Sequence, residues 1–149
     1  MLHQTLLTLA LTTLASAHFE LLYPPTAGFV SEDEPQSPCG GASVNVDSDS
    51  PEVQVGQFAI SVMSSHPTSD WQFSATTNTE PPFNFTPIAN VVRSEGSGEF
   101  CLPALSAPEG FAGSAGVIQV VGSGHGGFLY QVGFTRATLV VLSADRDSC

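Results

Sequence analysis

The sequence predicts an all-β protein, a sandwich of antiparallel sheets, and three observations predict it. Glycine (14 residues) and proline (11 residues) punctuate the whole chain. No long segment repeats its apolar residues at the 3.6-residue spacing of an amphipathic helix. Instead, short runs rich in Val, Ile, Phe and Tyr stand between turn-forming residues, at the spacing expected of a sandwich.

Taken in order, Met1–Ala17 reads as a secretory leader. It has a short polar start (His3, Gln4), an apolar run Leu6–Leu14 and the small-residue close Ala15-Ser16-Ala17. The run is too short to span a bilayer as a helix, and no later segment is longer. Cleavage after Ala17 leaves residues 18–149, a length suited to one domain with a single core. Strands are expected at His18–Tyr23, Gln57–Ser64, Trp71–Ala75, Glu99–Leu102, Val117–Val121 and Phe128–Val132. The polar segments 31–41, 45–52 and 106–116 read as loops, and "GSGHGG" (122–127) reads as a hairpin turn. No internal repeat or interdomain linker stands out.

Charge excludes one class of partner. The chain has 14 acids against three arginines (Arg93, Arg136, Arg146), for a net charge of −11. Such a surface repels phosphate backbones, so no nucleic-acid partner is expected, and it concentrates cations. Acidity by itself is ordinary solvation. Cys39, Cys101 and Cys149 suit an oxidising compartment, but an odd count leaves one thiol over. Asn84-Phe85-Thr86 is a glycosylation sequon, usable if the chain is exported.

The sequence contains no G-x-S-x-G, H-E-x-x-H or C-x-x-C motif, and the glycines at 122–127 lack the lysine of a phosphate loop. Hydrolase chemistry therefore has no support. The histidines say more. His3 leaves with the leader, and His125 sits in a glycine turn where little would pre-organise it. His18 becomes the first residue of the processed chain, with its α-amine and ring Nδ1 able to chelate one metal ion. Copper(II) favours nitrogen donors in a square or T-shaped plane. A second imidazole would complete the arrangement called a histidine brace. His66, at the end of an expected strand and just before Pro67, is the candidate. Each histidine taken alone is more simply a solvated side chain, so the brace rests on the two together. Glu20, two residues beyond His18, points to the same side of a strand, towards water or towards the metal.

Several segments together resemble a known fungal family, the copper acquisition factors, which are secreted relatives of lytic polysaccharide monooxygenases. They are "HFELLYPP" (18–25) with Gly28, "EPQSPCGG" (34–41), the strand leading to His66, "GEFCLPAL" (98–105) and "GVIQVVGSGHGGFLYQ" (116–131). The resemblance covers residues 18–131. It implies an immunoglobulin-like β-sandwich with a surface copper(II) site, His18 as the N-terminal brace histidine and His66 as the second. It also implies copper binding for uptake or homeostasis at the cell surface without oxidative glycan cleavage, and in many members a glycosylphosphatidylinositol anchor. No anchor signal is visible in this chain. A monomer is expected, with the copper ion, a membrane copper transporter or cell-wall components as partners.

The resemblance stops after Gln131. There the family carries Leu-Tyr-Gln-Cys-Ala-Asp, the aspartate being a further ligand, whereas this chain reads "LYQVGFTRATLVVLSADRDSC". The missing cysteine would strand Cys39 or Cys101, the two disulfide candidates. Codons for Val132-Gly133 begin GT and GG, as at a splice donor. Residues 132–149 are therefore expected to be an atypical tail, a retained intron read to a stop. The rival is a genuine divergent end, and transcript reads running exclusively through Val132 would favour it. Two rival functions stand beside copper binding: an active polysaccharide monooxygenase, and a structural wall protein without metal.

Overall fold

A computed structural model describes residues 17–124 and 126–138; the leader up to Ser16, His125 and the segment 139–149 with Asp145, Asp147 and Cys149 lie outside the described residues. The strands are β1 (Phe19–Tyr23), β2 (Glu52–Gln54), β3 (Phe58–Ser64), β4 (Thr68–Thr76), β5 (Thr86–Pro87), β6 (Val92–Glu95), β7 (Gly98–Leu105), β8 (Ala115–Gly124) and β9 (Gly127–Thr138). A short 3-10 turn at Glu109–Phe111 precedes β8.

The strands form two sheets. One has the order β1-β3-β7; the other has the order β2-β9-β8-β4-β5, with β6 also paired to β4. Alternation in β1 gives the reason for the layering. Phe19 and Leu21 are buried while Glu20 and Leu22 face outward, so one face of the strand must be covered by apolar partners. Those partners are Trp71, Phe73, Ile118, Val120 and Leu129 of the second sheet, which meet Ile60 and Val62 of the first. Edge-on packing of Phe19 against Trp71, with ring centroids 5.1 Å apart, ties the start of β1 into the core.

All six expected strands are present, and the sandwich is immunoglobulin-like as expected. Most run longer than the apolar pattern because Ser, Thr and Gly residues continue the ladders. One pairing departs from the expected antiparallel scheme: β2 lies parallel to β9, with Glu52 opposite Arg136 and Gln54 opposite Thr138. Strands β2, β5 and β6 are too short or too exposed to leave a clear pattern. The hairpin read from the glycines at 122–127 joins β8 to β9, with Gly124 opposite Gly127.

Strand β9 runs unbroken across the boundary expected after Gln131. Val132 is fully buried, Thr135 and Ala137 are buried, and the ladder with β8 continues to Arg136 opposite Ala115. Residues 132–138 are thus part of the domain's central sheet.

The cysteines show the expected stranded thiol and correct Cys39 as a disulfide candidate. Cys101 is disulfide-bonded, but Cys39 is a buried free thiol. The physical reason lies in its neighbours, for Cys39 is clustered with Val117 and Val132. Val132 occupies the position where the family resemblance has a cysteine, so apolar contact stands where a second sulfur would be needed. Burial pushes the Cys39 thiol above its ordinary pKa, which keeps it protonated and inert.

Candidate metal centre

The β1–β3 pairing assembles the site. Its register, Phe19 opposite Ser64 and Glu20 opposite Met63, sets His18 across from Ser65, and His66 follows immediately. Ser65 fastens the junction. Its N–H donates to the His18 carbonyl at 3.0 Å, its hydroxyl donates to the same oxygen at 2.9 Å, and that hydroxyl accepts from His18 N at 2.8 Å. The atom that cleavage would convert to an amine is therefore already positioned.

His66 sits in the short connection between β3 and β4, its side chain 8% exposed. Its N–H donates to Ser64 Oγ at 3.1 Å, which turns the chain sharply off the end of β3. The ring lies against Gly124 at the end of β8, where a Cβ would fall 2.8 Å from His66 Nδ1. Burial pushes the His66 pKa below its ordinary value. A hydrogen bond with the Ala17 backbone and the Glu34 carboxylate oppose that shift, and His18 adds to it. A neutral imidazole keeps a lone pair available for a metal.

The two histidines line one cleft of about 590 Å³, together with Glu32, Ser65, Thr68 and Leu129. Phe29 meets the His18 ring edge-on, with centroids 6.4 Å apart.

A third residue at the site was not singled out in the sequence. Glu34, from the polar loop 31–41, is 1% exposed, and its Oε2 lies 2.6 Å from His18 Nδ1. Its Oε1 accepts from Gln131 Nε2 at 2.9 Å and lies 3.4 Å from the Phe19 N–H. Gln131 also donates to the Phe19 carbonyl and accepts from the Leu21 N–H at 3.0 Å. The loop is clamped onto β9 by the Tyr130 N–H, which donates to the Glu34 carbonyl at 2.8 Å. Gly40 makes that approach possible: its φ is +62°, and a Cβ there would sit 2.0 Å from the Tyr130 carbonyl oxygen. The Pro-Cys-Gly-Gly element thus marks a loop packed onto β9, but nothing in an acid-rich loop marks which acid turns inward.

Glu20, the acid considered from the sequence, is exposed on β1 opposite Met63. The carboxylate at His18 is Glu34. Asn84 is exposed in the connection between β4 and β5, open to a glycan. Among the described residues, no three His, Cys, Asp or Glu side chains are gathered into a metal-holding group. His18 and His66 line the same cleft and could offer two imidazole donors there, with the His18 nitrogen beside them once it is an amine.

A family model described as copper acquisition factor BIM1-like matches residues 16–147. The chain belongs to that family. The match includes the segment beyond Gln131, and family membership gives this protein a copper-related role. An uncharacterised protein of Aspergillus fumigatus is 28% identical over 107 residues, 71% of this chain. The chain spans 44% of the length of that curated relative. Two solved structures share the fold. One is an AA10 LPMO from Photorhabdus luminescens, at a TM-score of 0.58 and 18% identity, covering 83% of this chain and 100% of that one. The other is the catalytic domain of the LPMO Lmo2467 from Listeria monocytogenes, at 0.52 and 18%, covering 80% and 99%.

Proposed function

We propose that this protein, processed to begin at His18, is a secreted or cell-surface binder of copper(II) that serves copper acquisition or homeostasis without oxidative polysaccharide cleavage. The β1–β3 register carries the reading, because through it His18 and His66 border one cleft. The donor chemistry suits the cupric ion, which favours nitrogen in a planar arrangement. The α-amine and ring of His18 would form a chelate on one residue, and the His66 imidazole would supply the third nitrogen. The bound ion would bring a redox-active dication to the cleft.

The chain's own part is to hold these donors ready. Ser65 fixes the backbone of His18, and Gly124 leaves the His66 ring its space. Phe29 shields one edge of the His18 ring. Family membership supports the copper part of the reading. Trp71 supports the non-catalytic part, since its ring is sealed in the core and its indole N–H donates to Ser94 Oγ at 2.8 Å, leaving it unable to stack on a glycan. A membrane copper transporter or wall components would receive or supply the ion.

The test is titration of copper(II) by calorimetry into the processed protein and its His18→Ala variant. One ion per chain is expected for the first and a loss of tight binding for the second. Unchanged stoichiometry and affinity in the variant would remove His18 from the site. The fold likeness favours one rival, an active monooxygenase. Incubation with chitin or cellulose, copper and a reductant decides it: release of oxidised oligosaccharides would establish that rival and overturn the non-catalytic reading.

A further inference from the structure

We infer that the outer face of the larger sheet carries a binding strip for a neutral polysaccharide, built on Phe128, Ser123, Asp70 and Arg93. The strip uses neither histidine of the metal centre and stands apart from the copper reading. Strand register assembles it. Phe128 of β9 pairs with Ser123 of β8, Ser123 with Asp70 of β4, and Asp70 with Arg93 of β6. Residues directly opposite one another share a face of the sheet, so the four side chains form one row across four strands. Three strand spacings of about 4.8 Å make the row about 14 Å long, the length of a few pyranose rings end to end. Trp71 and Leu129, the next residues along β4 and β9, are buried on the opposite, core face.

Exposure singles the row out. Farther along the same face the sheet is roofed by loops, where Gln119 donates to the Pro38 carbonyl at 2.8 Å and Val132 clusters with Cys39 and Val117. At the row, Phe128 is 53% exposed. One exposed ring is ordinary. A ring in register with a hollow of about 240 Å³, lined by Thr68, Asp70, Arg93 and Ser123, is an apolar platform beside fixed polar groups. A pyranose has the matching faces, with C–H groups to lie on the ring and hydroxyls at its edge. Asp70 accepts, Arg93 donates and Ser123 does both. Charge selects a neutral polymer. Arg93 Nη1 lies 3.3 Å from Asp70 Oδ1, so the two charges offset each other, and a chain of net charge −11 repels acidic polymers. The strip is also near the metal cleft, because Gly124 both backs the His66 ring and borders the hollow. A polymer held here would keep that cleft at its surface.

The experiment mixes the processed protein, with EDTA present, with microcrystalline cellulose, chitin or curdlan and measures the protein left in solution. Retention on at least one polymer is expected, and excess soluble polygalacturonate should not reverse it. Phe128→Ala is expected to bind that polymer about tenfold more weakly, while Phe128→Trp keeps the wild-type level. Arg93→Ala and Asp70→Asn should each weaken retention severalfold. Retention on none of the three polymers overturns the inference, as does wild-type retention by Phe128→Ala or release by polygalacturonate. A Phe128-dependent dimer without retention also overturns it and makes the row a contact between copies of the chain. Should Phe128→Ala fail to fold, Arg93→Ala and Asp70→Asn carry the test, and unchanged retention in both overturns it. Failure of the copper reading is separate: it shows as full copper binding by His18→Ala, whatever the retention.

Discussion

The ring of His66 rests on the bare backbone of Gly124, with no room between them for a methyl group. An added Cβ at 2.8 Å from Nδ1 would force the ring or the β8 end to move. Gly124→Ala is therefore expected to destabilise the fold by about 1–3 kcal/mol, the usual cost of overpacking. It should also weaken copper binding by about tenfold, roughly 1.4 kcal/mol, through displacement of His66. Thermal unfolding and a copper titration of the variant check both effects. Wild-type affinity in a folded Gly124→Ala protein would dissociate His66 from the site.

Cys39 and Val132 support a second expectation. The thiol is buried and its pKa raised, so native protein should resist alkylation at mildly alkaline pH and react only after unfolding. Val132→Cys places a second sulfur in the same apolar cluster. It is expected to close a disulfide with Cys39, seen by mass spectrometry as the loss of both thiols, and to raise stability by about 2–4 kcal/mol. Two free thiols persisting under oxidising conditions would contradict the packing described for this cluster.

The stability of the metal-free protein should depend on pH through His66. Its folded-state pKa lies below the unfolded value of about 6.5 because burial disfavours the imidazolium. As pH falls, the unfolded chain takes up that proton first. The stabilising contribution is therefore complete above about pH 6.5 and is lost as pH drops towards the folded-state value, at no more than about 1.4 kcal/mol per pH unit. Unfolding midpoints at neutral and mildly acidic pH should differ, and His66→Gln should reduce that difference. Equal slopes in the two proteins would remove His66 as its source.

Much of this architecture was legible from residue patterns alone. The alternation in "FELLY", the Val- and Ile-rich run before "GSGHGG" and the aromatic "FLYQV" after it mark β1, β8 and β9, because half-buried strands alternate whereas buried ones need not. His18 and His66 were legible as donors through the processing motif and a strand end. The Glu34 carboxylate beside His18 was not. Its position depends on a loop folding back onto β9, a long-range contact between Glu34 and Tyr130 that local propensity does not encode. The parallel docking of β2 was hidden for the same reason, since three residues carry too little pattern to state a partner. The boundary drawn at Gln131 followed a family motif, whereas β9 follows the physical pattern, which continues through Val132 and Thr135.

The most direct test of the central claim compares two N-termini. One form begins at His18; the other keeps Ala17 before it, so that His18 N is a peptide nitrogen and Ala17 still partners His66. Each is titrated with copper(II) and its N-terminal residue verified by mass spectrometry. Tight one-to-one binding with a nitrogen-coordinated resonance signal is predicted for the first form, and loss of at least about tenfold in affinity, some 1.4 kcal/mol, for the second. Equal affinity and identical spectra in the two forms would contradict the account.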